Sequence, residues 1–563
     1  MTLFGRRRLL RRYRAILAVF IRHGFGTFLD RLGILQHGRV RARRMPRTNR
    51  HAEHALSVGA RLRLALEELG PTFIKLGQIL STRPDMLPHD VVDELEKLQD
   101  SVPPVPFESV RAVVEECLGA PLAELFTDFD PVPLAAASVA QVHRATAHNG
   151  RKVVVKVLRP DIEETIDQDL QILHDLAEFL DKKTRLGDLY DFTSMAKEFD
   201  NTIHTELDLR IEGENTDALR KLTARDEGIK VPEVVWTHTA HNVLTLEFID
   251  GYAMKELERK EFTCVDKKKV AVRLATSVLN QILRDGFFHA DPHPGNLIVL
   301  EDGTVAFIDL GMVGRLNGDR RVLFLEMLAG LVQKDSRMLV QAIMDLDSMT
   351  GPVNTRRLQG ELDLLRDRFL ELPFEEIKLG ALFGEIFALA FSYRIRLPGE
   401  FTMLSKTLAT LEGVVERIAP EVSLFEVAAP IVKERMKDLY SFDRIKHDAL
   451  QAASEYGHLL SGLPGFLTNF MRKVEDENYT VKLRHENFEV YMGRISKGVS
   501  RISLSIALLS VSILTVGLAV ALGTGLPVGS SLLPVLTVFV EAGLGIIVAL
   551  LAWLLVTILT TKK

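Results

Sequence analysis

His289-Ala290-Asp291-Pro292-His293-Pro294-Gly295-Asn296, followed by Phe307-Ile308-Asp309-Leu310-Gly311, decides how this chain is read. An aspartate, an amide five residues later and a second aspartate eighteen residues on form an arrangement suited to phosphoryl transfer. Asp291 could orient or deprotonate an acceptor hydroxyl. Asn296 and Asp309 supply hard oxygen ligands, the kind that hold Mg2+ between phosphates. Gly311 would let the backbone turn sharply after a metal ligand. Alone, Asp-Leu-Gly is usually a turn; the order of the parts and the hairpin between them carry the reading. That hairpin pairs Asn296–Leu300 with Val305–Ile308 about Glu301-Asp302-Gly303. His289 and His293 flank Asp291 as transition-metal ligands would, but Pro292 and Pro294 make a rigid loop and no third cluster accompanies them. His289 reads as a brace for the loop.

The upstream sequence supplies matching parts. Val153-Val-Val-Lys156-Val157 is a short β-branched strand carrying one lysine, placed to contact nucleotide phosphates if an acidic partner fixes it. Before it, Ala135-Ala136-Ala137-Ser138 and Gln141 occupy the position of a phosphate-covering loop, with alanines in place of glycines. A second strand, Val243–Ile249, ends at Asp250-Gly251. Around these strands the pattern is helical: residues 51–125, broken at Gly70-Pro71 and Pro103–Pro106; residues 162–224; and nearly everything after residue 320.

Taken in order, Lys75-Leu76-Gly77-Gln78, the Ala135–Ser138 loop, Glu206-Leu207-Asp208, the His289–Asn296 loop and Asp309-Leu310-Gly311 resemble the UbiB family of atypical protein-kinase-like proteins, from about residue 55 to 440. The resemblance implies an α+β, two-lobed kinase-like fold with an N-terminal helical extension. It also implies ATP and Mg2+ binding, ATPase activity and support of ubiquinone biosynthesis at a membrane. By the same resemblance Lys156 is the nucleotide lysine and Glu212 its partner. Asp291 is the catalytic-loop aspartate, and Asn296 and Asp309 are the metal ligands. Lys75 and Gln78 form a signature pair, with Glu206 and Asp208 as the matching acidic pair. Glu247, Phe248 and Ile249 lie near the hinge that faces adenine. Two positions depart from kinase patterns: Ala140 stands where many members of the wider family have glycine, and Ala290 replaces the arginine that usually docks a phosphorylated activation loop. A lysine of the extension near Glu206 or Asp208 would cover the acceptor side of the site, favouring water or a small headgroup over a bulky protein.

The two ends differ from this centre. Residues 1–50 hold fourteen arginines against one acid, Asp30, so the remainder of a chain of net charge −5 is strongly acidic. The run Ala15–Ile21 behind Arg6–Arg8, Arg11, Arg12 and Arg14 reads as an amphipathic basic helix resting on anionic lipid, with packing onto the main domain as the alternative. At the other end residues 502–560 carry a single charge, Glu541. Leu504–Leu522 would span roughly 28 Å as a helix, close to a bilayer's hydrocarbon thickness. A second apolar run, Leu532–Leu559, follows a turn-like stretch. Lys497 and Arg501 before the pair and Lys562 and Lys563 after it place both ends in the cytoplasm. A transmembrane helical hairpin in the bacterial inner membrane is expected.

The expected organisation is a basic segment (1–50), a helical extension (51–128), an N-lobe (129–250), a C-lobe (251–440), a helical linker (441–501) and two membrane helices (502–560). The 563 residues, 47% hydrophobic and 26% charged, exclude a disordered chain, and two cysteines, Cys117 and Cys264, exclude a disulfide scaffold or Cys-based zinc site. Membrane lipids, quinone intermediates and quinone-biosynthesis enzymes are the expected partners, and nucleic acid is not. Three functions remain: a membrane-anchored ATPase or small-molecule kinase assisting quinone-lipid synthesis, a kinase of another metabolite or of protein, and a nucleotide-binding scaffold.

Overall fold

Alternation along Lys152–Leu158 organises the first lobe. Val153, Val155 and Val157 are buried in an apolar layer with Val110, Val114, Phe126 and Val243, which leaves Lys156 on the opposite face. In this computed structural model the strand pairs antiparallel with Ala140–Ala147 on one side and Val243–Glu247 on the other. Phe126–Phe129 and the short Ala135–Ala136 both pair with Ala140–Ala147, giving a sheet of five strands among the described residues. The structure describes residues 3–31, 56–81, 87–98, 102–184, 191–259, 262–346, 354–370 and 378–439, less a few single positions, together with 508–516 and scattered residues between 538 and 553.

Three helices lie beside the sheet: Ile162–Lys183, Phe192–Leu207 and Leu209–Thr223. The last buries Glu212, Asn215, Thr216 and Leu219, one face at helical spacing, and so turns Glu212 inward. A second sheet is ordered Ile229–Lys230, Val305–Phe307, Leu297–Val299, Tyr252–Ala253, its first strand lying before Val243–Glu247 in the chain and the others after it. The expected hairpin is present as Leu297–Val299 against Val305–Phe307, closed at Gly303, whose φ of 77° suits glycine. Ile229–Lys230, which joins it in parallel, carries no pattern that marks it in the sequence.

The second lobe is built on Lys267–Asn280, whose Val270, Ala271, Leu274, Ala275, Val278 and Leu279 are all 0% exposed. Helices Gly318–Val332, Ser336–Met344, Leu379–Ser392, Gly399–Ile418 and Leu424–Leu439 share that core.

The basic segment forms the helix Leu3–Phe20, and the extension begins with Val58–Leu69, Pro71–Ser81 and His89–Leu95. Gly70, at φ 97°, makes the corner between the two central helices. The N-terminal helix turns its apolar side inward: Ile16 and Val19 pack with Leu66, Leu69, Phe73 and Leu95. The face read as resting on lipid is therefore taken by the protein, and the packed alternative is the one realised. Residues 32–50 lie outside the described residues, as does the linker 441–501.

Met1–Asp448 form one compact unit and Ala449–Lys563 a second. Of the expected membrane helices, only 508–516 and isolated positions fall among the described residues, and no described helix is long and apolar enough to cross a membrane.

Candidate active site

Lys156 meets two carboxylates. Its Nζ is 2.8 Å from both oxygens of Glu212 and 3.1 Å from Oδ2 of Asp309. The three come from the first sheet, the helix beside it and the segment after the hairpin, residues 56 and 153 apart in sequence from Lys156. Glu212 lies in the first turn of its helix, where the exposed amide ends favour negative charge. Asn215, one turn on, donates to the Leu310 carbonyl and accepts from Arg315, so the same helix also grips the Asp309 segment.

The electrostatics follow from burial opposed by pairing. Desolvation lifts the Glu212 carboxyl, Lys156 pulls it back and Asp309 lifts it further, leaving it raised to about 7. Desolvation likewise works against the Asp309 carboxylate, but the Lys156 ammonium and the Gly311 N–H overcome it and hold the group lowered to about 2. Burial disfavours the Lys156 charge, and Asp309 and Glu212 more than compensate, so its pKa is raised. Asp309 keeps 42% of its side chain exposed and is the member of the trio open to a ligand.

The loop that carries Asp291 is braced from beneath. Asp291 N–H donates to His289 Nδ1 at 3.2 Å, and His289 N–H donates to Gln281 Oε1 at 3.0 Å. Gln281 is fully buried in a π-helical turn, Gln281–Asp285, and its amide nitrogen donates to Ser277 Oγ. Thr407 Oγ1 donates to the Ala290 carbonyl at 2.9 Å from a helix of the second lobe. His289 therefore supports the loop, as its sequence position suggested, and burial keeps its pKa low and the ring neutral.

Asn296 donates Nδ2 to the Asp291 carbonyl at 3.2 Å, which leaves its amide oxygen as the end available to a cation. The hairpin brings it beside the Asp309 segment through Ile308 N–H to Asn296 O at 3.0 Å. A neutral amide oxygen and a carboxylate ionised above about pH 2 suit Mg2+ that takes its remaining ligands from phosphate and water. Among the described residues no group of three His, Cys, Asp or Glu is placed to hold a metal. Gly311 differs from its sequence reading. Its φ is not left-handed; what it supplies is room, because a Cβ there would lie 3.1 Å from Asp309 Oδ1.

The four residues read as a gate over the acceptor side, Lys75, Gln78, Glu206 and Asp208, divide. Lys75 Nζ is 3.1 Å from Glu206 Oε2, with both side chains largely buried. Gln78 lies one turn along the same helix, half-buried, its carbonyl accepting from Ser81. Asp208 has a different job: it caps the Glu212 helix, accepting from Arg210 N–H, and binds the Arg210 guanidinium. Gly77 lets the Lys75 helix pack closely, since a Cβ there would lie 2.4 Å from Leu98 Cδ1.

Ala135 and Ala136 pair with Val142 and Gln141, and Ala137 N–H closes the turn on Ala140 O at 2.8 Å. Ser138 and Gln141 are 1% exposed. The Gln141 amide accepts from Val105 N–H at 2.9 Å and contacts His143, so it joins the lobe to the extension and is not aimed at phosphate. Glu247 is held by Lys230 at 2.7 Å, the N–H groups of Glu247 and Phe248 donate to the carbonyls of Glu233 and Lys152, and Ile249 is buried. After Gly311 the chain forms Val313–Arg315 against Phe287–His289 and enters a helix at Gly318, leaving no room for a long activation segment. Gln281, Asn215, Arg315 and Thr407 are the site-supporting residues that the sequence did not mark; for Gln281, Asn215 and Thr407 a buried polar side chain inside a helix is the only trace, and Arg315, the exposed last residue of its strand, leaves none.

A profile described as the ABC1 atypical kinase-like domain matches residues 97–343, and one described as the UbiB helical domain matches 362–423. The chain is 34% identical over 517 residues to "Probable protein kinase UbiB" of Xanthomonas campestris pv. campestris, covering 89% of this chain and 91% of that one. It is 33% identical over 454 residues to "Uncharacterized protein sll1770" of Synechocystis sp., covering 79% and 78%. A solved structure, the Rv3197–erythromycin complex from Mycobacterium tuberculosis, aligns at 24% identity and TM-score 0.44, over 63% of this chain and 94% of that one.

Proposed function

Because the chain belongs to the UbiB family of ABC1 atypical kinase-like proteins, we propose that it is a membrane-anchored enzyme that uses Mg-ATP, with hydrolysis as its principal reaction, in support of ubiquinone biosynthesis. The observation that carries the reading is the Lys156–Glu212–Asp309 cluster above a braced Asp291. Lys156 would pair with phosphate, fixed by Glu212; Asn296 and Asp309 would hold Mg2+, which neutralises charge on the phosphates. Asp291 would orient the attacking hydroxyl or water. The Lys75–Glu206 pair would narrow the acceptor side, favouring water or a small headgroup over a protein side chain.

The membrane part rests on the C-terminal residues. Leu509, Ile513, Leu514, Val516, Val538 and Trp553 are each 61–67% exposed, an apolar surface that lipid would cover. With the apolar runs around them, which carry the single charge Glu541, they support a two-pass hairpin in the bacterial inner membrane with the kinase-like unit in the cytoplasm. Quinone intermediates or partner enzymes would then meet the site at the membrane.

The test is nucleotide binding by thermal shift in the wild type and Asp309→Asn, with and without Mg2+, paired with complementation of a deletion strain profiled for quinone intermediates. The proposal expects Mg-dependent ATP stabilisation that Asp309→Asn severely weakens, and accumulation of an intermediate that the variant does not relieve. Equal ATP stabilisation in all four conditions would overturn the nucleotide reading, and an unchanged quinone profile the biosynthetic one.

A further inference from the structure

One buried carboxylate outside the cleft ties three elements together. Asp169, within Ile162–Lys183, has a side chain only 1% exposed. Arg12 of the N-terminal helix donates Nε to Asp169 Oδ1 at 2.6 Å and Nη2 to Oδ2 at 2.8 Å. The same Nη2 donates to the Leu69 carbonyl at 2.8 Å, beside the Gly70 corner, and the guanidinium lies 5.8 Å from the Phe73 ring centroid. Thr72 Oγ1 donates to Asp169 Oδ2 at 2.8 Å. Thr72 and Phe73 open the helix that carries Lys75, so every partner of this arginine fixes the start of that helix.

The neighbouring N-terminal pairs are of another kind. Arg8–Glu164 and Arg22–Glu68 are mostly exposed, and water screens them. Asp169, by contrast, sits among Ile166, Leu170 and Ile172, where an unpaired charge is strongly disfavoured. Loss of Arg12 would leave that carboxylate to Thr72 alone, and the Lys75 helix would have to move for water to reach it.

We propose that Arg12 is a positioning residue for the Lys75 gate, setting the first turn of Pro71–Ser81 through Asp169, Thr72, Leu69 and Phe73 so that Lys75 reaches Glu206. The inference rests on the reading of Lys75 as a gate. It gives the N-terminal helix a role in the site: its arginine face is a clasp on the element that covers the acceptor side. Glu206 lies six residues before Glu212 and its charge raises the Glu212 pKa, so displacement of the clasp is felt at Lys156.

The experiment uses the full chain in detergent or vesicles. Arg12→Ala, Arg12→Lys and Thr72→Val are each made alone and in a Lys75→Ala background. Mg-ATP and Mg-ADP affinities, kcat and KM for ATP hydrolysis, and amide hydrogen exchange across residues 71–81 are measured. Arg12→Ala is expected to shift the ATP-to-ADP preference in the same direction as Lys75→Ala, by on the order of five-fold or more, and to add nothing once Lys75 is alanine. Arg12→Lys, which keeps the charge but not the fork, is expected to recover part of the shift. Exchange is expected to rise in 71–81 and to stay unchanged in 267–280. A lowered melting temperature with unchanged nucleotide preference and KM would reduce Arg12 to a structural residue and overturn the proposal. An equal shift in the Lys75→Ala background would do the same, since the effect would then bypass Lys75. If Lys75→Ala itself matches the wild type, the gate reading falls and the clasp with it, whereas a Lys75→Ala effect without an Arg12 effect removes only the clasp. Should Arg12→Ala fail to fold, Thr72→Val, which leaves the ion pair in place, decides by the same criteria.

Discussion

Lys75 and Glu206 form an ion pair of 3.1 Å between the extension and the helix that precedes Glu212, with side chains only 16% and 15% exposed. A charge-assisted pair so shielded contributes roughly 1.5–3 kcal/mol, about one to two powers of ten in an equilibrium. Lys75→Ala should change nucleotide preference or autophosphorylation without unfolding the chain, and Glu206→Ala should not add to it, because residues of one network couple. ATP and ADP affinities of wild type, both single variants and the double variant measure this. Strictly additive effects would return Lys75 to an ordinary surface role and reopen the site to protein acceptors.

Nucleotide affinity should depend on pH through Glu212. Its carboxyl is raised from 4.5 to about 7, so the folded chain holds that proton more tightly than the unfolded chain. The stability this supplies is fully present below pH 4.5 and is lost as pH rises through about 7. Nucleotide binding runs the other way, since the ionised carboxylate is what fixes Lys156. Mg-ATP affinity measured across that range should rise with pH in the wild type and rise less in Glu212→Gln. The titration of ATP itself is common to both proteins, so the difference isolates Glu212; parallel curves would rule the link out.

Gly77→Ala should destabilise the extension. The added methyl would come within 2.4 Å of Leu98 and 2.8 Å of Leu66, an overpacking of about 1–3 kcal/mol. Calorimetry should show a lowered transition, and Lys75-dependent nucleotide preference should shift with it. A variant as stable as the wild type would mean that the helices separate freely.

The proposed hairpin fixes which side of the membrane its ends face. In a chain with Cys117 and Cys264 replaced, Ser530→Cys should label from outside the inner membrane and Ser500→Cys only from the cytoplasm. Removal of residues 502–560 should release most of the protein from membranes. External labelling at Ser500→Cys would invert or abolish the two-pass arrangement.

Gln281→Leu should remove the acceptor of His289 N–H inside a sealed core, a loss of about 1–3 kcal/mol. Because that bond supports Asp291 through His289, ATP turnover should fall more than ATP affinity. Equal losses in both would mean that Gln281 supports the lobe and not the loop.

By itself the sequence determined which nearby residues would meet at the centre. Asp291, Asn296 and Asp309 are close in sequence and joined by a hairpin, and Lys156 sits on a strand whose alternation turns it away from the core; local pattern fixes such things. The extension's helices and the corner at Gly70 were legible for the same reason. Only the tertiary structure decided the partners across long separations: Lys75 with Glu206, not Asp208; Gln141 with Val105, not phosphate; Arg12 with Asp169, 157 residues away. Asp208 and Gln141 look free in sequence, but a helix N-terminus and an adjacent backbone segment claim them. The N-terminal helix shows the limit most plainly. Its amphipathic pattern requires an apolar surface to cover it, and periodicity cannot tell a lipid surface from Leu66, Leu69 and Phe73. The choice between them depended on how well the buried carboxylate of Asp169 and the guanidinium of Arg12 fit, which exists only once the helices have met.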